Sequence, residues 1–165
     1  MKKLFGLFFI LFMTVGAMPA QASESTLRIP SLGLSLPVVT ARWTGATWDV
    51  SRLGWAAAYL EGRSLPDDPG THESAVVAHR TFYNGQRGPF YELPSIAIGA
   101  FIYIDLNGIT YTNQVYATGD ISPYDLGILV NDDNSHNRLV LLTCDTYRGG
   151  QYTQRFFAKA VQKYP

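Results

Sequence analysis

The chain has 165 residues, and its 13 Lys and Arg residues balance 13 Asp and Glu residues, so the formal net charge is zero at pH 7. No basic stripe runs along the sequence, which argues against nucleic acid as a partner. Aromatic residues are frequent, and 15 Gly and 9 Pro are spread along the chain, which favours many short strands and turns over a helical bundle.

The N-terminus has the layout of an export signal. Two lysines precede an apolar run over residues 4–15, and Ala20-Gln21-Ala22 resembles a cleavage site. The apolar run is shorter than the roughly 20 residues that a membrane-spanning helix needs. We predict a signal peptide over residues 1–22, with a retained membrane anchor as the alternative. Either one delivers the following domain to the extracytoplasmic face of the membrane, the cell envelope or the periplasm, and the anchor would associate it with the membrane.

The first half of the domain contains short extended segments separated by turns. Residues 27–30 and 34–39 predict two short strands, and residues 55–60, which include three alanines, predict a helical turn. Residues 75–78 form an apolar, β-branched run of strand length that leads directly to His79. A buried strand is therefore expected to deliver that histidine at its end.

The clearest structural signal is a β-hairpin. Residues 101–106 and 109–118 read as two strands, with Asn107-Gly108 between them. Both central positions of the tightest hairpin turn require positive φ, which Asn and Gly tolerate. The sequence therefore predicts a hairpin over residues 101–118.

Two further strands flank the only cysteine of the chain. Residues 138–143 read as a buried strand that ends at Cys144, and residues 155–161 read as the last strand, which starts at Arg155. A loop over residues 145–154 is predicted between them. If these strands pair antiparallel, Cys144 and Arg155 lie near the same edge of the sheet. The elements together predict a mostly β domain with short helices, closed as a barrel or packed as a sandwich.

Cys144 is the candidate nucleophile. As the single cysteine it has no internal disulfide partner, and such a residue in an exported protein is either a reactive thiol or a buried, inert one. A thiolate is the attacking species, and a neighbouring cation favours it. His79 can donate a proton to a leaving amine, and Arg155 can hold a developing oxyanion or the substrate backbone. Together they can cleave a peptide bond through a thioester.

Other residues of the same types are weaker candidates. Histidines in polar loops and cations near the strands compete with the two partners of the cysteine: His72, His136, Arg138 and Arg148. Asp132 and Asp133 suggest a Ca²⁺ site, but no ligand spacing supports one, and a solvated loop is favoured. We therefore expect no metal and no cofactor.

Four short motifs along the chain are similar to those of a single protein family. They are Arg28-Ile-Pro-Ser-Leu-Gly33, Val77-Ala-His-Arg80, Val140-Leu-Leu-Thr-Cys144 and Arg155-Phe-Phe-Ala-Lys-Ala160. In that order they resemble the R-I-P-x-I/L-G opening, the G-H-R neighbourhood of the catalytic histidine, the T-L-x-T-C signature and the R-x-V-V-x-A final strand of sortases. The resemblance spans about residues 27–161.

The resemblance implies a closed β-barrel of about eight strands with short helices, forming a sortase-like catalytic domain over residues 27–165. It implies a cysteine transpeptidase that cleaves an L-P-x-T-G-like sorting signal near the C-terminus of a partner protein. The acyl group then passes to an amine acceptor, either a peptidoglycan precursor or another protein. Carried over to this chain, Cys144 is the nucleophile, His79 the general acid and base and Arg155 the oxyanion and substrate clamp, while Thr143 helps to bind substrate.

Two positions depart from the family pattern, and two other functions remain open. Val140 stands where sortases usually have Thr, so we expect the polarity of the pocket to change while the nucleophile is retained. Ala78 stands where they usually have Gly. The alternatives are a secreted cysteine peptidase and a non-catalytic β-barrel binding module. The order of histidine before cysteine argues against a papain-like fold, although not against hydrolysis.

Overall fold

The computed structural model describes residues 25–67, 73–127, 137–148 and 150–164. Within these ranges the chain forms the strands β1 (Ser25–Ile29), β2 (Leu34–Ala41), β3 (Ala57–Leu60), β4 (Ser74–Val77), β5 (Phe101–Leu106), β6 (Ile109–Ile121), β7 (Arg138–Arg148) and β8 (Gln151–Tyr164). They close into a barrel in the order β1-β2-β3-β4-β7-β8-β6-β5. Short 3₁₀ helices span Pro30–Leu32, Leu93–Ser95 and Pro123–Asp125. The predicted mostly β fold, a closed barrel of about eight strands with short helices, is confirmed.

Two parallel strand pairs set the layout of the barrel. β2 pairs with β3 and β4 pairs with β7 in parallel, whereas the other neighbouring strands are antiparallel. In the β4–β7 pair, Val77 lies opposite Leu142. Because the strands of a parallel pair run in the same direction, the residues after Val77 and after Leu142 emerge at the same end of the barrel.

Strand β7 is buried on both faces. Leu139 and Leu141 belong to the core inside the barrel, and Val140 and Leu142 belong to a second apolar cluster. Trp48, in the segment between β2 and β3, packs against this second cluster. Successive side chains of a strand point to opposite faces, so a strand covered on both sides is continuously apolar and does not alternate.

The predicted helical turn over residues 55–60 is wrong. Ala57–Leu60 form strand β3, and all four of these residues are buried. β3 lies between β2 and β4 and pairs with both. Helix propensity is a weak preference, and pairing on both sides of the strand overrides that of the alanines.

The predicted loop over residues 145–154 is also wrong. β7 continues to Arg148 and β8 begins at Gln151, so two residues separate the strands. The polar side chains of this segment do not end the ladder, because each strand supplies the backbone hydrogen-bonding groups of the other. Cys144 therefore lies inside a strand and not at its end.

The predicted hairpin is confirmed. β5 and β6 pair antiparallel up to Leu106 and Ile109, with two residues between them. Asn107 has a φ of 52° and Gly108 a φ of 80°, the left-handed conformation that this turn requires at both positions.

Some predictions concern residues outside the described ranges. The signal peptide or membrane anchor over residues 1–22 is one of them, and four loop residues considered as alternatives are the others: His72, Asp132, Asp133 and His136. These assignments stay predictions. Within the part of the chain that the structure describes, no helix is long and apolar enough to cross a bilayer.

Candidate active site

Cys144 and Arg155 lie directly opposite each other in the β7–β8 ladder. Directly opposite residues of an antiparallel pair project from the same face of the sheet with neighbouring side chains. Both residues are half-buried. The predicted neighbourhood of the two residues is therefore confirmed, although it arises in the middle of a ladder and not at a sheet edge.

The parallel pairing of β4 with β7 brings His79 to the same place. His79 is two residues beyond Val77, and Cys144 is two residues beyond its partner Leu142. The backbone N–H of Ala78 donates to the carbonyl of Leu142 over 3.3 Å. The two chain segments thus stay together up to the residue that precedes His79, and His79 and Cys144 line one cleft.

The backbone of His79 is fixed from behind by a turn at residues 88–90. The N–H of Phe90 donates to the His79 carbonyl over 3.0 Å, and the N–H of Gly88 donates to the carbonyl of Arg80 over 2.7 Å. A Cβ atom added to Gly88 would lie 2.3 Å from the His79 carbonyl oxygen, which is closer than van der Waals contact allows. Only glycine fits there without moving the histidine. The ring of His79 also meets Phe82 edge-on, with centroids 5.6 Å apart.

The cleft around these residues has a volume of about 850 Å³. One wall comes from the segment between β2 and β3, including Val50 and Gly54, and another from the β7–β8 hairpin. Four aromatic side chains contribute to the lining: Phe82, Tyr83, Tyr91 and Tyr152. A largely apolar cleft of this size with a few convergent polar groups is typical of a ligand-binding site.

Burial and charge act on the Cys144 thiol in opposite directions. Burial raises the pKa of the thiol, because the thiolate would lose solvation. The positive charge of Arg155 lowers this pKa, Arg80 lowers it to a smaller extent, and Asp145 raises it. The net effect raises the pKa of the thiol, so the protonated form is favoured. Arg155 and Arg80 are close enough to stabilise a negative charge at this position.

Arg155 lies beside Cys144, but its side chain turns partly to its own strand. Its Nη1 donates to the backbone carbonyl of Gln154 over 2.9 Å. The described lining of the cleft includes Arg80 and does not include Arg155. In this structure Arg155 is paired with Cys144 in the ladder, and its effect on the thiol is the electrostatic lowering of the pKa.

Arg80 and Asp145 are site residues that the sequence reasoning missed. They follow His79 and Cys144 directly in the sequence, and both line the cleft. A parallel pair that brings two residues together brings their successors close as well, but the pairing of β4 with β7 has no local signal in the sequence. The predicted loop over residues 145–154 also separated Asp145 from the strand that carries Cys144.

The structure places Thr143 in the barrel wall. Its side chain is buried, and its hydroxyl donates to the carbonyl of Ala78 over 3.0 Å. This bond links β7 to the residue before His79. Direct contact of Thr143 with substrate stays a prediction.

The expectation that Val140 changes the polarity of the pocket is wrong. Val140 is completely buried and packs with Ala75 and Leu142 in the cluster outside the barrel interior. Val140 is four residues before Cys144 on the same face of β7, but its side chain does not reach the cleft lining. The departure from the family pattern at this position therefore affects packing.

Among the rival candidates, only Arg138 has a described side chain, and it does not join this cluster. Arg138 lies at the start of β7, near Glu73, with 4.0 Å between Nη1 and Oε1. The side chain of Arg148 is outside the described part of the structure. Within the described part, no three or more His, Cys, Asp or Glu residues are grouped so that they could hold a metal ion.

Comparison with known proteins gives one family. The Sortase domain family model matches residues 27–163. Sortase A of Staphylococcus aureus (strain NCTC 8325 / PS 47) is 23% identical over 121 residues, which cover 73% of this chain and 54% of that protein. The chain thus spans about half the length of this curated relative.

Solved structures share the architecture. The lid mutant of sortase A from Corynebacterium diphtheriae is 22% identical, with a TM-score of 0.69 over 88% of this chain and 74% of that chain. Group B Streptococcus Pilus Island 1 Sortase C2 is 21% identical, with a TM-score of 0.70 over 88% of this chain and 77% of that chain. At these identities the likeness shows the fold alone.

Proposed function

The chain belongs to the sortase family, and on that premise we propose that it is a cysteine transpeptidase with Cys144 as its nucleophile. One observation carries the proposal: Arg155 lies opposite Cys144 in the ladder, and His79 lines the same cleft as Cys144. A thiol, a proton carrier and a forked cation are the groups that acyl transfer through a thioester requires.

In the first half-reaction the sulfur of Cys144 attacks the carbonyl carbon of the scissile peptide bond, and the thiol proton passes to His79. Arg155 stabilises the negative charge that develops on the carbonyl oxygen. His79 then donates the proton to the leaving nitrogen, the C–N bond breaks, and a thioester remains on Cys144.

In the second half-reaction an acceptor amine attacks the thioester carbonyl. His79 accepts a proton from the amine nitrogen, and the tetrahedral intermediate collapses as the C–S bond breaks. The proton returns to the Cys144 sulfur, and a new amide bond has formed. Water in place of the amine would give a free acid by the same steps.

Arg155 can serve both half-reactions without leaving its place. The guanidinium keeps one hydrogen bond to the Gln154 carbonyl and has further N–H donors in a planar fork. We propose that these donors reach a substrate oxygen at the neighbouring Cys144. The position of Arg155 opposite Cys144 supports its proposed role as clamp for the oxyanion and the substrate backbone.

We propose a protein with a C-terminal L-P-x-T-G-like sorting signal as the acyl donor. The acceptor is the amine of a peptidoglycan precursor or of another protein. The aromatic and apolar lining of the cleft suits a Leu-Pro segment. Thr143, next to Cys144 in the sequence, is proposed to assist substrate binding. The export signal predicted over residues 1–22 would place the reaction on the extracytoplasmic face of the membrane, in the cell envelope or periplasm. The proposed chemistry uses neither metal nor cofactor.

The test uses the purified full-length protein, an L-P-x-T-G peptide panel, and mass spectrometry of the products with and without an added amine. Cleavage after Thr together with an amine-ligated product, both absent in Cys144→Ala, is the expected result. Cleavage that yields only the free acid would favour a secreted cysteine peptidase. A folded protein that cleaves no peptide of the panel would contradict the proposal and favour a binding module.

A further inference from the structure

Arg80 and Asp145 form an ion pair one residue beyond His79 and Cys144. Nη1 of Arg80 donates to Oδ1 of Asp145, and both side chains are largely buried, with 23% and 18% exposed. Both also line the cleft together with His79 and Cys144. The pair thus connects the two chain segments that carry the proposed proton carrier and nucleophile.

The ion pair lies where the backbone pairing of β4 with β7 has ended. The last paired residues are Val77 and Leu142. Beyond them, the Thr143 hydroxyl reaches the carbonyl of Ala78, and then Arg80 reaches Asp145. Side chains thus continue the connection between the two segments on both sides of His79.

A second side-chain bond supports the same connection. The hydroxyls of Thr81 and Tyr152 hydrogen-bond each other, which links the segment after His79 to strand β8. Thr81 and Tyr152 line the cleft as well. The chain from His79 to Thr81 is therefore attached to the β7–β8 hairpin at two successive residues.

Asp145 is itself held in place by its surroundings. Its Oδ1 accepts the backbone N–H of Thr146 over 2.5 Å. Thr146 has a φ of 51°, a conformation that β-branched residues rarely adopt, and its hydroxyl donates to the side-chain oxygen of Gln154 over 2.5 Å. Asp120 hydrogen-bonds Asp145 from β6, and the pKa of Asp120 is raised, first by loss of solvation and then by the charge of Asp145. The Asp145 carboxylate, which accepts the hydrogen bond from Arg80, is therefore held by contacts from β6, β7 and β8.

We propose that the Arg80–Asp145 ion pair positions His79 against Cys144, so that both residues are positioning residues for proton transfer between imidazole and sulfur. The inference rests on the proposed function. Neither residue needs to touch the substrate for this role. This role predicts that loss of either Arg80 or Asp145 disturbs the same placement of His79 relative to Cys144.

Arg80 and Asp145 have opposite effects on the pKa of the Cys144 thiol, so an effect of charge can be distinguished from an effect of geometry. Arg80 lowers the pKa of the Cys144 thiol, and Asp145 raises it. A neutral residue at Arg80 therefore shifts the pH midpoint of thiol alkylation upward, and a neutral residue at Asp145 shifts it downward. If charge alone mattered, the two substitutions would change activity in opposite directions.

The experiment is a double-mutant cycle with Arg80→Gln, Asp145→Asn and the double variant, with Arg80→Lys as the conservative variant. Arg87→Gln is the matched control, because Arg87 forms an exposed ion pair with Glu92 at 3.2 Å and stacks on Tyr91, as Arg80 does. Transpeptidation of the peptide panel, iodoacetamide alkylation of Cys144 against pH, and thermal unfolding are measured for each.

Each single substitution is expected to lower kcat by about tenfold to a hundredfold, the range for a displaced catalytic group. The double variant should lose no more than the worse single variant, because one bond is removed in all three. Arg80→Lys should retain most of the activity, and Arg87→Gln should match the wild type. The alkylation midpoints should move in opposite directions for Arg80→Gln and Asp145→Asn.

Three results would overturn the inference. They are a wild-type kcat in both single variants, additive losses of activity in the double variant, and a rise of activity in one single variant with a fall in the other, in parallel with their alkylation midpoints. A second arm needs no turnover. His79→Gln should change the alkylation rate of Cys144 in the wild type and have little effect in Arg80→Gln. If the wild type catalyses no transpeptidation, the proposed function fails, and the alkylation measurements alone test whether the ion pair positions His79. Equal effects of His79→Gln on the alkylation rate in the wild type and in Arg80→Gln would then refute that role.

Discussion

At the scale of single residues, the site is defined by a thiol that is both buried and flanked by cations. Burial is the largest influence on Cys144 and raises the pKa of its thiol, and the charge of Arg155 opposes it. A protonated thiol at rest is consistent with a nucleophile that transfers its proton to His79 when the substrate carbonyl arrives. Such a cysteine is protected from indiscriminate reaction with solvent oxidants, since the thiolate is the reactive form.

The first prediction concerns the titration of this thiol. The alkylation rate of Cys144 by iodoacetamide should rise with pH around a midpoint above that of free cysteine, which is about 8.5. Arg155→Gln should move the midpoint further upward, because the guanidinium lowers the pKa. Rates are measured by mass spectrometry across the pH range, with Arg87→Gln as the control. A midpoint below that of free cysteine would contradict the described balance of burial and charge.

A glycine behind the histidine gives the second prediction. In Gly88→Ala the new methyl group meets the backbone of His79, with the carbonyl oxygen at 2.3 Å and the carbonyl carbon at 2.8 Å. The histidine must move, so kcat should fall by about tenfold or more. Gly119→Ala serves as the control, since its Cβ would meet only the ring of Phe157, at 3.1 Å. Equal activities of the two variants would show that the position of His79 does not depend on Gly88.

At the scale of elements, pairing partners decide what short segments become. The Asn107-Gly108 hairpin was predictable, because its turn chemistry is local. Residues 57–60 became a strand through partners that are distant in sequence. Residues 145–148 and 151–154 continued two strands by pairing with each other. The sequence motifs located Cys144, but the pairing of β4 with β7, which brings the segment after Val77 beside it, had no local signal.

The third prediction tests the bond between β7 and the segment that carries His79. Thr143→Val keeps the shape of the side chain but removes the donor to the Ala78 carbonyl. It should lower the free energy of unfolding by about 1–3 kcal/mol, the cost of leaving a buried carbonyl without its partner. Thr143→Ser retains the hydroxyl and should lose less. Urea denaturation provides the measurement, and equal losses in Val and Ser variants would assign the effect to packing.

At the scale of the whole molecule, the barrel and the active site depend on the same closed ladder. Cys144, Arg155 and the approach of His79 occupy three neighbouring strands or their extensions, β7, β8 and β4. The mostly β character and the barrel could be predicted, in part from composition and in part from family resemblance. The construction of the cleft could not be predicted, because its walls come from segments far apart along the chain, such as those of Gly54 and Tyr152.

The fourth prediction concerns alkaline unfolding of the barrel. Tyr59 in β3 is buried and hydrogen-bonds Ser25 in β1 over 3.1 Å. Burial raises the pKa of Tyr59 from 10.0 to about 12. The native state therefore keeps a proton that the unfolded chain loses, so this contribution is present below pH 10 and is lost as the pH rises from 10 to about 12.

Over that interval the free energy of unfolding of the wild type should fall by about 2 kcal/mol more than that of Tyr59→Phe. Two pKa units correspond to about 2.7 kcal/mol in full, and most of this energy is lost between pH 10 and 12. Other tyrosines and lysines titrate in both proteins and cancel in the difference. The measurement is urea denaturation at several pH values. Parallel curves of unfolding free energy against pH would show that the pKa of Tyr59 does not differ between the native and the unfolded state.

The most direct test of Cys144 as the nucleophile is intact-protein mass spectrometry of the protein mixed rapidly with an L-P-x-T-G peptide in the absence of an amine. We predict a mass increase equal to the acyl portion of the peptide that ends at Thr, mapped to Cys144 and removed by hydroxylamine. The adduct should be absent in Cys144→Ala and should disappear from the wild type when an acceptor amine is added. Cleavage of the peptide by Cys144→Ala, or an adduct on any other residue, would contradict the assignment of Cys144 as the nucleophile.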